Sequence, residues 1–121
     1  MMNPRRSTSV DDQFIKLEDL SSLDDFVARL NGSPGVLFKH SNTCGVSSRA
    51  YDEMAKLTCP IGLVVVQRAR QVSDEIEARW RISHESPQVL IVHDGRVVWT
   101  ASHFQIKAPE VETALKQLSV D

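Results

Sequence analysis

The chain has 121 residues, 41% hydrophobic and 25% charged, a balance suited to one compact domain that buries a core without disulfide or metal staples. A formal net charge of −2 gives no footing for nucleic-acid binding. The longest unbroken apolar run, Leu63-Val64-Val65-Val66, is far too short to cross a bilayer.

Residues 1–11 read as a flexible tail ahead of a single domain over 12–121, because the basic opening has no apolar stretch behind it and so is not a secretory signal. With only two cysteines, this points to a reducing cytoplasm, where a reactive thiol stays usable. Phe14-Ile15-Lys16-Leu17 is a short strand candidate. Ser21 or Ser22 can cap a helix to about Leu30, with Leu23, Phe26, Val27 and Leu30 on one face, and Asn31-Gly32-Ser33-Pro34-Gly35 stops it. Val36 to Lys39 predicts a buried strand, and a helix follows from about Cys44 to Leu57 with Val46, Ala50, Met54 and Leu57 inward. Leu63 to Gln67 is a continuous apolar strand of the kind covered on both faces. Ser73 is placed to cap a helix to Trp80, with Asp74 and Glu75 in its first turn. Ser86-Pro87 leads into Gln88 to Val92, Asp94-Gly95 is a two-residue hairpin signal, and Arg96 to Thr100 returns. Pro109 opens a last helix with Val111, Leu115 and Leu118 inward.

The order is β-α-β-α-β-α-β-β-α. Early strands joined by helices imply parallel pairing, and the final hairpin an antiparallel edge. This is an α/β class chain with the element order of the thioredoxin fold: a central mixed sheet with helices on both faces.

The chemistry centres on Cys44, in Phe38-Lys39-His40-Ser41-Asn42-Thr43-Cys44-Gly45-Val46-Ser47. A thiol at a helix start meets free backbone N–H groups and the positive end of the dipole, and both favour the thiolate. Ser47 stands where a second cysteine would complete a C-x-x-C motif, so the site is a one-cysteine C-x-x-S. Ser47 is placed to donate a hydrogen bond to the sulfur, Lys39 and His40 to add positive charge, and Thr43 to cap the helix. The bland alternative is an inert, half-buried Cys44. For Cys59, a helix of about 14 residues spans roughly 20 Å, whereas a disulfide needs Cα atoms within about 7 Å. Cys59 therefore reads as a small buried residue, and the resolving thiol as external.

Pro87, at the entry of a strand, can be cis or an ordinary trans edge proline, and the fold favours cis. Beside it the Ser86 backbone would be open to an extended substrate. His40, His84, His93 and His103 match no zinc spacing, so no metal is expected. His93 beside the turn reads as exposed, and His40 and His84 as near the site. Arg49, on the Cys44 helix, can hold an anionic group or simply face solvent.

The segment from Phe38 to Cys44 with Ser47, the segment His84-Glu85-Ser86-Pro87-Gln88, and Ala101-Ser102-His103-Phe104-Gln105-Ile106 resemble, in order and at suitable separations, the YtxJ family of monothiol bacilliredoxins. The resemblance runs from about residue 12 to the end. It implies a thioredoxin-like fold and removal of bacillithiol, or a similar low-molecular-weight thiol, from mixed disulfides with proteins. It makes Cys44 the attacking thiol and Pro87 the cis-proline, with Ser86 and Gln88 flanking the substrate strand. His103 falls in a family motif. The small thiol would be a co-substrate, with no bound cofactor; the partners would be proteins carrying mixed disulfides, with no nucleic acid and no membrane. Gly45 and Phe104 depart from the proline and tryptophan of many members.

Two other functions fit parts of the pattern. Cys44-Gly45-Val46-Ser47 looks like the C-G-F-S site of monothiol glutaredoxins that carry iron–sulfur clusters, but the glycine pair those proteins place after the hairpin is missing. A non-catalytic module holding an extended peptide would tolerate loss of Cys44.

Overall fold

The computed structural model describes residues 13–119; the tail expected over residues 1–11 lies outside them. Five strands, β1 (Phe14–Lys16), β2 (Gly35–His40), β3 (Ile61–Val65), β4 (Gln88–His93) and β5 (Arg96–Ser102), alternate with helices α1 (Leu20–Leu30), α2 (Gly45–Ala55), α3 (Arg70–Trp80) and α4 (Ala108–Ser119). A short 3-10 turn, His103–Gln105, precedes α4. The sheet order is β1-β3-β2-β4-β5. β3 is parallel to both β1 and β2, and β4 is antiparallel to β2 and β5.

Side-chain alternation along the strands builds one core on each face of the sheet. Val36 and Phe38 of β2 pack with Ala50 and Met54 of α2 and Val111 and Ala114 of α4. Leu37, one residue out of phase, packs with Leu23 and Phe26 of α1 and Val72 and Ile76 of α3. Gly62 belongs to a close approach on this second face, where a Cβ would lie 2.8 Å from a Leu17 methyl and 2.9 Å from a Leu37 methyl. The hairpin turn forms as the Asp94-Gly95 pair predicts, with φ of 53° and 79°, the left-handed pair of a type I′ turn.

Several local expectations are corrected. The cap of α1 is Asp19, whose carboxylate accepts from Ser22 N–H at 2.8 Å. Ser22 is the reciprocal partner of a capping box, not the cap. β3 starts two residues before Leu63, because Ile61 and Gly62 already pair with Val36 and Leu37. α3 starts at Arg70, so Ser73 lies one turn inside and buried, and Asp74 and Glu75 fall beyond the first turn. α4 starts at Ala108, whose N–H donates to Glu53 of α2 at 2.8 Å. His93 is not simply exposed: its Nε2 lies 3.1 Å from Gly32 O.

Candidate active site

Cys44 is half-buried and is itself the N-cap of α2, with extended backbone (φ −117°, ψ 126°) and no side-chain capping bond. Thr43, expected as the cap, instead lies in the turn before it. The first intrahelical bond runs from Ser48 N–H to Cys44 O at 3.1 Å. The N–H groups of Gly45, Val46 and Ser47 precede it and have no helical acceptor. The turn into the site is fixed from outside α2. Gln67 donates to Ser41 Oγ at 2.7 Å and to Thr43 Oγ1 at 3.2 Å, and accepts from Asn42 N–H at 3.2 Å. This clamp spans 25 residues of sequence, which is why no local pattern announces it.

Ser47 does not serve the sulfur as expected. It is fully buried; its Oγ accepts from Ser41 N–H at 2.9 Å and lies 2.7 Å from His40 Nδ1. The inward face of α2 is therefore Ser47, Ala50 and Met54, with Val46 only partly buried. Burial holds His40 below the usual imidazole range, opposed by its bond to Ser47. Its ring also packs against Phe38 and Tyr51, at centroid distances of 5.5 and 5.2 Å.

Lys39 and His40, read together as cations beside Cys44, are separated by the pleat. His40 faces α2. Lys39 is fully buried on the α3 face, where its Nζ lies 3.2 Å from His84 Nδ1. Burial lowers the Lys39 pKa, and the charges of Glu77 and Asp74 oppose that shift. Ser73 Oγ is also 3.2 Å from His84 Nδ1, and His84 N–H donates to Glu77 at 3.2 Å. Lys39 therefore positions the 83–87 segment and does not line the face of α2.

The Ser86–Pro87 peptide is cis. Lys39 pairs with Gln88 across β2 and β4, so the antiparallel register sets Ser86 and Pro87 at the same end of the sheet as the Cys44 turn. Among the described residues the Ser86 backbone makes no hydrogen bond, and Ser86 Oγ is buried without a partner. Gln88 is buried and donates to Ser83 O at 3.1 Å; its side chain braces the segment from behind instead of flanking a substrate. Pro87 O accepts from His103 N–H at 3.0 Å. His103 has a left-handed φ of 56°, a region histidine enters more readily than most side chains, and its Nε2 lies 3.4 Å from Glu85. Val46, Arg49, His103, Phe104 and Lys107 border a cavity of about 580 Å³ between α2 and the start of α4. Phe104 is 67% exposed there.

Cys59 is half-buried against the α2/α4 core and unbridged, and burial raises its pKa. Among the described residues no cluster of His, Cys, Asp or Glu is arranged to hold a metal, and no helix is long and apolar enough to cross a membrane.

The architecture is shared with solved structures. A thioredoxin-fold protein described as an oxidoreductase is 28% identical, with a TM-score of 0.78 over 87% of this chain and 96% of that one. Fasciola hepatica thioredoxin, 13% identical, gives 0.70 over 86% and 98%. A redox protein from Chlamydomonas reinhardtii, 15% identical, gives 0.75 over 93% of this chain and 37% of its own. The last two establish the fold alone. The family model of the monothiol bacilliredoxin BrxC matches residues 15–111, a span that includes Cys44, Pro87 and His103, and the chain belongs to this family of thiol oxidoreductases.

Proposed function

We propose that the protein exchanges mixed disulfides between proteins and a low-molecular-weight thiol, bacillithiol or a similar molecule, through Cys44 alone. The observation that carries this reading is a half-buried cysteine at the N-cap of α2, at the same end of the sheet as an unpaired Ser86 backbone and the cis-Pro87. The Cys44 thiolate attacks the small-thiol sulfur of a protein–S–S–R bond. The protein sulfur leaves with the bonding pair and takes a proton from water, and Cys44–S–S–R remains. A second small thiolate attacks that bond, releases Cys44 as thiolate, and departs as R–S–S–R. The N–H groups opening α2 stabilise negative charge on Sγ in both steps. The Ser86 backbone pairs with an extended segment of the protein substrate, as an added strand would. Fixed reactant geometry, not a second cysteine, supplies the rate. The reaction needs no bound cofactor and suits a reducing compartment such as the cytoplasm.

The decisive experiment follows the release of small thiol from a protein mixed disulfide. Wild type should accumulate a Cys44 adduct detectable by mass spectrometry, and Cys44→Ser should lose turnover entirely. Turnover that survives in Cys44→Ser refutes the assignment.

A further inference from the structure

On the α3 side of the Cys44 turn lies a cavity of about 240 Å³, lined by Gln67, Arg70, Ser73, Asp74 and His84 together with Val66. Two of its walls belong to the site. Gln67 is bonded to the turn that delivers Cys44, and His84 stands two residues before Ser86 in the segment that carries the cis-proline. The volume is below the usual range for a whole ligand, about 300–1,000 Å³, and suits one end of a small molecule.

The charges in this cavity are arranged as complementary halves. Arg70 and Asp74 are both exposed and occupy i, i+4 positions on α3, where opposite charges ordinarily meet. Neither makes an ion pair among the described residues. His84 is oriented from behind: its Nδ1 lies 3.2 Å from both Lys39 Nζ and Ser73 Oγ. With Lys39 as an ammonium, which can only donate, Nδ1 is the acceptor and Nε2 the ring nitrogen left to donate. Nε2 has no hydrogen-bond partner among the described residues, on a side chain that lines the cavity. One part of the cavity thus offers donors, Arg70 and His84, and another offers the Asp74 carboxylate. The buried Lys39 beneath lies within the fields of Asp74 and Glu77, whose charges oppose the lowering of its pKa by burial.

We propose that this cavity holds the amino-carboxylate end of a low-molecular-weight thiol whose sulfur is joined to Cys44, with the carboxylate on Arg70 and His84 and the ammonium on Asp74. The inference rests on Cys44 being an exchanging thiol. It adds a specificity site for the small partner, distinct from the Phe104 cavity on the opposite face of the sheet.

The test uses the full chain and two probes. Glutathione disulfide carries amino and carboxylate groups; hydroxyethyl disulfide carries neither. In each case the Cys44 thiolate forms a mixed disulfide and expels one thiolate. Arg70→Gln and Asp74→Asn should each slow reaction with glutathione disulfide about three- to fivefold, the scale of an exposed ion pair, and leave the hydroxyethyl disulfide rate unchanged. Acetylating the glutathione amine should slow wild type as much as Asp74→Asn does, and should add nothing to that variant. Equal losses on both probes, or no loss with glutathione disulfide, overturn the proposal while Cys44 chemistry stands. If wild type forms no Cys44 adduct with either probe, both the exchange reading and this one fall.

Discussion

Ser47 and His40 show how a single hydroxyl can matter without touching the reacting sulfur. The C-x-x-S spacing puts Ser47 one turn beyond Cys44, but that turn faces the core. There its Oγ satisfies Ser41 N–H and holds His40 Nδ1. An unsatisfied group in this buried place would cost about 1–3 kcal/mol, which accounts for a polar residue at a fully buried helix position. The same pairing has a pH consequence. His40 is depressed below its ordinary value of 6.5, chiefly by burial. Between the folded value and 6.5 the unfolded chain binds more protons than the folded one, so stability rises with pH through that window. The contribution is complete above about 6.5 and is lost as pH falls through the folded value. Unfolding free energies from urea for wild type and His40→Gln should keep a constant difference from pH 7.5 to about 6.5, and below that wild type should lose stability relative to the variant by at most about 1.4 kcal/mol per pH unit. Parallel curves would show that His40 is not the titrating group.

Among the elements, α2 is where sequence and structure can be compared most closely. Existence and type are legible for every strand and α-helix, though not for the 3-10 turn His103–Gln105, because apolar periodicity and turn residues such as Asp94-Gly95 are local signals. Boundaries are less so. Ser22 and Ser73 have capping chemistry, but Asp19 and Ala69 occupy the cap positions. What decides is where the inward face must begin to meet the sheet, and that is a tertiary constraint. The thiol site divides in the same way. Cys44, Pro87 and the Ser86 backbone can be located from the motif. The Gln67 clamp, the Lys39–His84 contact and the inward Ser47 cannot, since each depends on which face of the sheet a residue enters or on a partner distant in sequence. Gly45 remains open to choice. A Cβ there would meet nothing within 4 Å, and it is the first residue of α2, where proline is favoured. Cys44 before it already has the extended backbone that a following proline demands. Gly45→Pro should therefore stabilise the fold by about 0.4–1 kcal/mol through the unfolded state. Urea denaturation reads this directly, and a destabilised variant would mean that the start of α2 is not preorganised as described.

For the whole molecule, the question is whether the cycle can close within one chain. The two thiols lie at opposite ends of α2, separated by the helix Gly45–Ala55. Eleven residues at 1.5 Å each span about 16 Å, more than twice the reach of a disulfide, about 7 Å between Cα atoms. Cys59 also borders the cavity formed by Pro34, Gly35 and Leu115, where β2 begins, whereas the Cys44 turn follows its end. Burial pushes the Cys59 thiol upward, with the Glu112 charge adding to the shift and a backbone hydrogen bond opposing it. That leaves less thiolate at neutral pH, and only the thiolate attacks or is alkylated. Under the proposed exchange, resolution would therefore fall to an outside thiol. Peptide mapping after treatment with a small disulfide should place the adduct on Cys44, and iodoacetamide at pH 7 should label Cys44 well before Cys59. If exchange runs through Cys44 alone, as proposed, Cys59→Ser should keep the exchange rate within about twofold of wild type. A Cys44–Cys59 bridge in the mapped, folded protein would contradict this, because it could form only if α2 unwound.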